Sequence, residues 1–350
     1  MLNQPQSYPN KGVPDGVSTF VIRPITSNDI DAFQRFAVVS TSGMFNLPKD
    51  RSLIEDKIKR SIEAFAKQSS EIGFDQYIFV LEDPKSGELG GTCAVKAKTG
   101  RKGPLFFYKI ETDITKDVEI RYLRPIKYES STTEICGLFI LPEYRHSGLG
   151  RLLSLSRFLF IANFPERFDD TVFAEMRGVI DKNHNSPFWN GVGRHFYNVE
   201  FDKIMEMQQQ GRNFIADVIP RYPIYISFLP KEAQEVIGIT HPDTKPALIM
   251  LEMEGFKPTH EIDMFDAGPR IAAQKNHIRT IKKSIVAEVE GIDILYQESE
   301  PMIISNTSIN FRCCLGKIEI VKPNCITLSP EVASALNVKV GDKVRYVTAH

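Results

Sequence analysis

An α+β fold is predicted, a mixed β-sheet with flanking helices followed by a small β-barrel-like C-terminal unit, on three features of the 350-residue sequence. Strand-like runs accumulate ahead of one long, unusually apolar helical stretch that begins at Leu149. A strand of buried type, Thr171 to Gly178, follows that helix directly. Past about Gly268 the texture changes to short β-prone runs split by Gly, Pro and Asn. The expected organisation is a loose tail over residues 1–17, a main domain over 18–268 and a small β-rich domain over 269–350.

Hydrophobic residues make up 42% and charged residues 25% of the chain, as in ordinary globular proteins. Forty-three basic residues stand against forty-four acidic ones. No long run of either sign occurs, which excludes an extended nucleic-acid or membrane-binding face and leaves small molecules as the expected partners. The longest apolar stretch, Phe158 to Phe164, is far too short for a membrane span. Met1 to Ser18 is polar and carries three prolines, so it does not read as a secretory signal. Five cysteines without CxxC spacing argue against a disulfide framework and against a zinc site. A cytoplasmic protein with no metal is expected.

Ser18 to Ile25 reads as a strand, and a helix opens after Thr26-Ser27 with Asp29 in its first turn. Arg51 to Gln68 carries apolar residues at 54, 58, 62 and 65, one helical face. Tyr77 to Asp83 and Gly91 to Lys98 form a hairpin around a Pro-Lys-Ser-Gly turn. The runs "LFFYKIET" and "DVEIRYL" lead into "EICGLFIL". Beyond residue 268, "KSIVAEVEG", "NFRCCLG", "KIEIVKP", "CITL" and "DKVRYVTA" are short strands, with a helix capped by Ser329 and opened by Pro330 among them. This tail has no catalytic constellation, so subunit contact is its expected role and a homo-oligomer the expected assembly.

Chemistry concentrates at Leu138 to Phe160, where an apolar strand runs through Arg145-His146-Ser147-Gly148-Leu149-Gly150 into the long helix. A helix start exposes backbone N–H groups and the positive end of the helix dipole, and glycines let an anion approach them closely. Gly148 and Gly150 read as a phosphate cradle, with Ser147 in the same loop and Arg145 as a cationic clamp. A plain surface turn is the competing reading. A Walker loop would need Lys and Ser/Thr after the last glycine, where this chain has Arg151 and Leu152. A dinucleotide fingerprint would need Gly or Ala at residue 153, which is Leu. Arg-x-x-Gly-x-Gly between strand and helix resembles the acyl-CoA pyrophosphate loop of GNAT-type N-acyltransferases. The helix behind it is apolar nearly all round, with Arg151, Ser154 and Arg157 as a narrow polar stripe.

The segments "NLPKDR", "YIFVLED", "EICGLFI", "LLSLSRFLFIA", "FAEMRGVID", "SPFW", "GRHF", "FIADVIPRYPIY", "EAQEVIGITHP", "LEMEGF" and "LNVKVGDKVRYV" resemble the arginine N-succinyltransferase family over nearly the whole chain after the tail. The resemblance implies a GNAT-like domain that moves a succinyl group from succinyl-CoA, a co-substrate rather than a tightly bound cofactor, to the α-amine of L-arginine. It implies succinyl-CoA binding at Leu138 and a proton-donor role for His241. The chemistry suits such a histidine, because aminolysis of a thioester needs a neutral amine, a polarised carbonyl and a proton for the departing thiolate.

Glu175 and Arg177 end an apolar strand and are costly to bury alone. They read either as a grip on the guanidinium and carboxylate of arginine or as a structural pair. Asp181 and His195 read as pocket lining, His184 as an exposed turn and Cys136 as small core filling with a role near the thioester left open. The chain departs from the family at Phe45 and Asn46 and over Lys109 to Glu134. Two rival functions follow from that: the same chemistry on ornithine or another amine, and a non-catalytic acyl-CoA-binding protein.

Overall fold

The computed structural model describes residues 20–40, 47–145, 148–209, 219–295 and 300–349. The expected tail over 1–17, the departures at Phe45 and Asn46 and the loop residue Ser147 lie outside the described residues.

Sixteen strands among the described residues join in one hydrogen-bonded sheet. β1 (Val21–Pro24), β2 (Gln76–Glu82), β3 (Leu89–Lys96) and β6 (Thr133–Ile140) pair antiparallel in that order. β6 lies parallel to β7 (Thr171–Glu175). From β7 the sheet runs on antiparallel through β10 (Pro269–Gln274), β9 (Lys257–Asp263), β4 (Leu105–Thr115), β5 (Val118–Tyr128) and the two-residue β8 (Ile224–Tyr225). On its other side, β13 (Cys313–Gly316) pairs with β1. Beyond β13 come β12 (Met302–Asn306), β16 (Lys343–Thr348), β11 (Ile285–Ile292), β15 (Cys325–Leu328) and β14 (Ile318–Lys322).

The division expected after residue 268 separates β10 from the strands it pairs with, β7 and β9; the C-terminal β-rich segment starts at β11. Its strand order among the described residues is open, with β14 at the sheet edge.

A parallel strand pair needs a crossover, and here the crossover is α3 (Leu149–Asn163). Phe160 of α3 meets Tyr77, Phe79, Phe164 and Phe311 at ring-centroid distances of 5.0 to 5.4 Å. The expected polar stripe is itself largely interior. Ser154 and Arg157 are buried, and the Arg157 guanidinium donates to the Ser154 carbonyl (2.9 Å) and to its hydroxyl (2.8 Å). Arg151 reaches the Ala349 carbonyl at 2.9 Å. C-terminal strands close over the same helix: Arg345 Nε donates to Asn163 Oδ1 (2.7 Å), whose Nδ2 donates to the Asn306 carbonyl (2.9 Å). The C-terminal segment thus serves the chain's own core.

The opposite face of the sheet carries α1 (Ile30–Val39) and α2 (Arg51–Ala66). Asp50 caps α2 by accepting from the amides of Ser52 (2.8 Å) and Leu53 (3.2 Å). Its buried face runs Ile54, Ile58, Ser61, Ala64, while Ile62, expected inside, is 40% exposed. Small residues at 61 and 64 turn the helix toward the sheet, and the Ser61 hydroxyl accepts from the Ile78 amide at 2.9 Å. Among the described residues no helix is long and apolar enough to cross a membrane.

Candidate active site

β6 and β7 pair through only two positions, Thr133 with Val172 and Glu134 with Phe173. Past Glu134 the strands part. β6 also bulges there, because Phe139 faces Thr92 and Cys136 faces Ala94, three residues against two. Gly137 accommodates the bulge at φ +60°. Leu138, half-buried on the α3 side, sits on this re-aimed stretch of main chain, whose β7 edge carries no strand pairing.

The expected phosphate loop ends in Gly148, in the left-handed region at φ +79°, as the N-cap of α3. Arg151 and Leu152 both donate to its carbonyl at 3.1 Å. The amides of the first turn ahead of them have no intrahelical acceptor. A Cβ added at Gly148 or Gly150 would meet nothing within 4 Å, so the space above this helix start is open. Arg145 is exposed beside it, its Nε 3.4 Å from the Ile140 carbonyl.

Strand alternation separates two environments around the gap. Ile135, Val172 and Ala174 face the apolar core under α3. Glu134 and Glu175 point to the other side, into a recess of about 410 Å³ between α2, the Lys98–Pro104 loop and the strand ends. Lys96 Nζ pairs with Glu134 Oε2 at 2.8 Å. Burial opposes the charge on Lys96, but Glu134 and the Cys136 thiol more than offset it and raise its pKa. Glu175 is exposed toward the recess, whose surrounding protein still desolvates its carboxyl. Burial first, then the carboxylates of Glu134 and Asp263, push its pKa up to about 8 against the pull of Lys96 and Arg270. Asp263 rises to about 7 through burial and Asp266, although it accepts from the amides of Phe265 (2.7 Å) and Asp266 (3.0 Å). The α2 and loop wall is cationic, with Lys57, Arg60, Lys98, Arg101 and Lys102 against Asp56.

His241 lies where β7 runs out. Its amide donates to the Arg177 carbonyl at 2.8 Å, and its Nδ1 accepts from the Asp243 amide at 3.1 Å. A backbone hydrogen bond to Ile180 also engages the ring. With Nδ1 an acceptor, the neutral ring carries its proton on Nε2. Burial and the Arg177 guanidinium lower the His241 pKa, with Asp243 opposing them. Asp266 holds the same segment, accepting from the amides of Gly178 (2.9 Å) and Gly268 (2.8 Å). A Cβ on Gly178 would fall 2.0 Å from the Asp266 carbonyl oxygen, which explains the glycine in "AEMRG". A second cavity of about 500 Å³, walled by Thr240, Lys245 and Arg270, borders the His241 loop.

The fold therefore brings Leu138, Gly148, Gly150 and Arg145 to one strand–loop–helix unit and carries Glu175 to the recess across the sheet. Arg177 does not line the recess with Glu175; it stands beside His241, with Asp243 and Asp266 as its charged neighbours. Asp181 caps its own turn, accepting from the amides of Asn183 (2.8 Å) and Asn185 (2.9 Å), and His184 is exposed at φ +64°. Lys57, Lys96, Glu134 and Asp263 were not singled out from sequence. The available signal was a charge at an inward position of a buried strand, as at Lys96 in "AVKAK" and Glu134 before "ICGLFI".

Comparison with known proteins decides the family. Residues 20–280 match the family model "Arginine N-succinyltransferase beta subunit", and residues 286–348 match the model for its C-terminal domain. The arginine N-succinyltransferases of Salmonella schwarzengrund (strain CVM19633) and Salmonella typhi are each 36% identical over 335 residues, 93% of this chain and 97% of theirs. The chain belongs to the arginine N-succinyltransferase family. A solved structure, arginine/ornithine succinyltransferase subunit AI from Pseudomonas aeruginosa, superposes with a TM-score of 0.85 at 32% identity, covering 95% of this chain and all of that one.

The departure expected from the sequence falls over Lys109 to Glu134. That stretch forms most of the β4–β5 hairpin, whose tip residues Ile114 and Val118 are 79% and 58% exposed. It contributes only Glu134 to the recess wall.

Two outcomes are expected. Gly150→Ala leaves the melting temperature equal or higher, since its methyl meets open space and alanine favours the helix, but weakens CoA binding by about tenfold or more in titration calorimetry. Glu175 has a folded-state pKa above its ordinary 4.5, so its contribution to stability is complete below pH 4.5 and is lost as pH rises through about 8. Glu175→Gln removes that loss. Its melting temperature should exceed the wild type's by about 1–3 °C at pH 9, with the difference shrinking at pH 5; an equal difference at both pH values contradicts the assignment.

Proposed function

We propose that the protein transfers the succinyl group of succinyl-CoA to the α-amine of L-arginine by direct attack, with the thioester in the gap between β6 and β7. The observation that carries this reading is the two-sided gap itself: an open helix start on one face, and a recess bearing both charges on the other. In the proposal, the diphosphate rests on the amides near Gly148 and Gly150, with Arg145 beside it. The main chain at Leu138 meets the acyl-bearing arm. Glu175 faces the positive group of the acceptor, and Arg177, on the His241 side, meets its carboxylate.

The α-ammonium group first gives up a proton to solvent water. The amine nitrogen then attacks the thioester carbon, the C–S bond breaks, and the second nitrogen proton reaches the departing sulfur through His241, giving the amide and CoA thiol. Its depressed pKa makes the resting ring neutral, as a proton relay requires. A covalent thioester on the enzyme is disfavoured because burial pushes the Cys136 thiol up to about 11. No tightly bound cofactor enters. The C-terminal strands are read as a barrel-like unit because they share a core around Val289, Ile304, Ile326 and Leu336.

Release of CoA thiol from succinyl-CoA, followed against arginine, ornithine and other amines, tests the proposal. Arginine-dependent release is expected, with His241→Gln lowering kcat by about 100-fold while CoA binding persists. Release with ornithine alone would reassign the acceptor, and CoA binding without turnover for any amine would remove the enzymatic reading.

A further inference from the structure

Six cationic side chains and four acidic ones line the recess. Lys57 of α2 lines it together with Lys96, Glu134 and Glu175, on the side of the β6–β7 gap away from α3. Leu53, Asp56, Lys57 and Arg60 share one face of α2 and line the recess together. Lys98 enters the same wall, its Nζ 5.7 Å from the Phe74 ring centre. Burial pushes the Lys57 pKa down to about 8, with Lys96 adding repulsion, so an arriving anion would be held strongly.

Two further groups in this wall point to the kind of anion. Gln76 and Thr99 are 9% and 5% exposed, and Gln76 Nε2 and Thr99 Oγ1 have no hydrogen-bond partner among the described residues. An amide N–H and a hydroxyl buried without acceptors are costly. Beside ammonium groups, they suit a ligand with oxygen acceptors and negative charge, which is the chemistry of a carboxylate.

We propose that Lys57, with Gln76, Lys98 and Thr99 around it, forms a carboxylate subsite that holds the free carboxylate of the succinyl group and so selects a dicarboxylic acyl donor. This inference rests on the proposed acyl transfer and assigns its donor selectivity. With a thioester in the gap near Cys136, an acyl chain passing through to the recess ends its carboxylate on this wall. The acceptor's own carboxylate is assigned to the Arg177 side.

Butyryl-CoA has the same chain length without the carboxylate, so it is the matched probe. The wild type should prefer succinyl-CoA to butyryl-CoA in kcat/KM, and Lys57→Met should cut that ratio by about 10- to 100-fold, with Lys57→Arg restoring most of it. The Lys57→Met ratio for arginine against argininamide should stay unchanged. A loss in the arginine ratio with an intact succinyl ratio would overturn the proposal, because the wall would then hold the acceptor; so would no change in either. Calorimetric binding of non-hydrolysable succinyl-CoA and butyryl-CoA analogues to folded wild type, Lys57→Met and Gln76→Leu reads the same selectivity without turnover. Failure of the acyl-transfer reading itself would show separately, as wild-type protein inactive with every amine.

Discussion

The site depends on a parallel pairing that stops after two residues. Had β6 and β7 stayed paired, the main chain of Cys136 to Leu138 would have been consumed in the sheet and the two faces sealed from each other. Because they part after Glu134 and Phe173, and because Gly137 lets β6 bulge, backbone hydrogen-bonding groups become available inside an otherwise regular sheet. The same parallel arrangement requires a crossover, and that crossover is the helix whose open start lies at one end of the gap. One topological feature thus supplies both the gap and the open helix start on which the proposed function rests.

What keeps the strands apart is packing on both sides. α3 is held by the aromatic cluster around Phe160 and by the C-terminal strands through Asn163, Arg345 and Arg151. On the opposite face, charge takes over from apolar packing. Glu134, Glu175 and Asp263 share one wall with Lys96 as the ion-pair partner of Glu134, while Lys57 and its neighbours line the facing wall. Such a polarised recess holds unfavourable electrostatics that a zwitterionic or dicarboxylic ligand would relieve, as the proposed function requires.

Much of this was legible in the sequence because it is local. The strand, glycine loop and apolar helix from Leu138 to Phe160 announce themselves by periodicity and by residues whose backbone freedom has a use. The recess was less legible because it is assembled from α2, β3, β6, β7 and β9, and no short stretch contains it. Lys96, Glu134 and Asp263 look like ordinary charges until strand alternation places them on one buried face. Ile62 was misplaced because the apolar period of α2 competes with the small residues Ser61 and Ala64, which allow the closer approach. Arg177 parted from Glu175 because β7 ends between them, so alternation no longer applies. At the expected boundary of 268 the change of texture precedes β10, whose pairing partners β7 and β9 lie in the earlier sheet.

The most direct test is a crystal structure with a non-hydrolysable succinyl-CoA analogue. The account predicts the diphosphate on the amides of Gly148 to Gly150, the acyl carbonyl between Leu138 and the end of β7, and the chain directed toward the recess. A diphosphate bound elsewhere, for instance in the cavity walled by Thr240 and Lys245, or an acyl arm that leaves the β6–β7 gap empty, would contradict it.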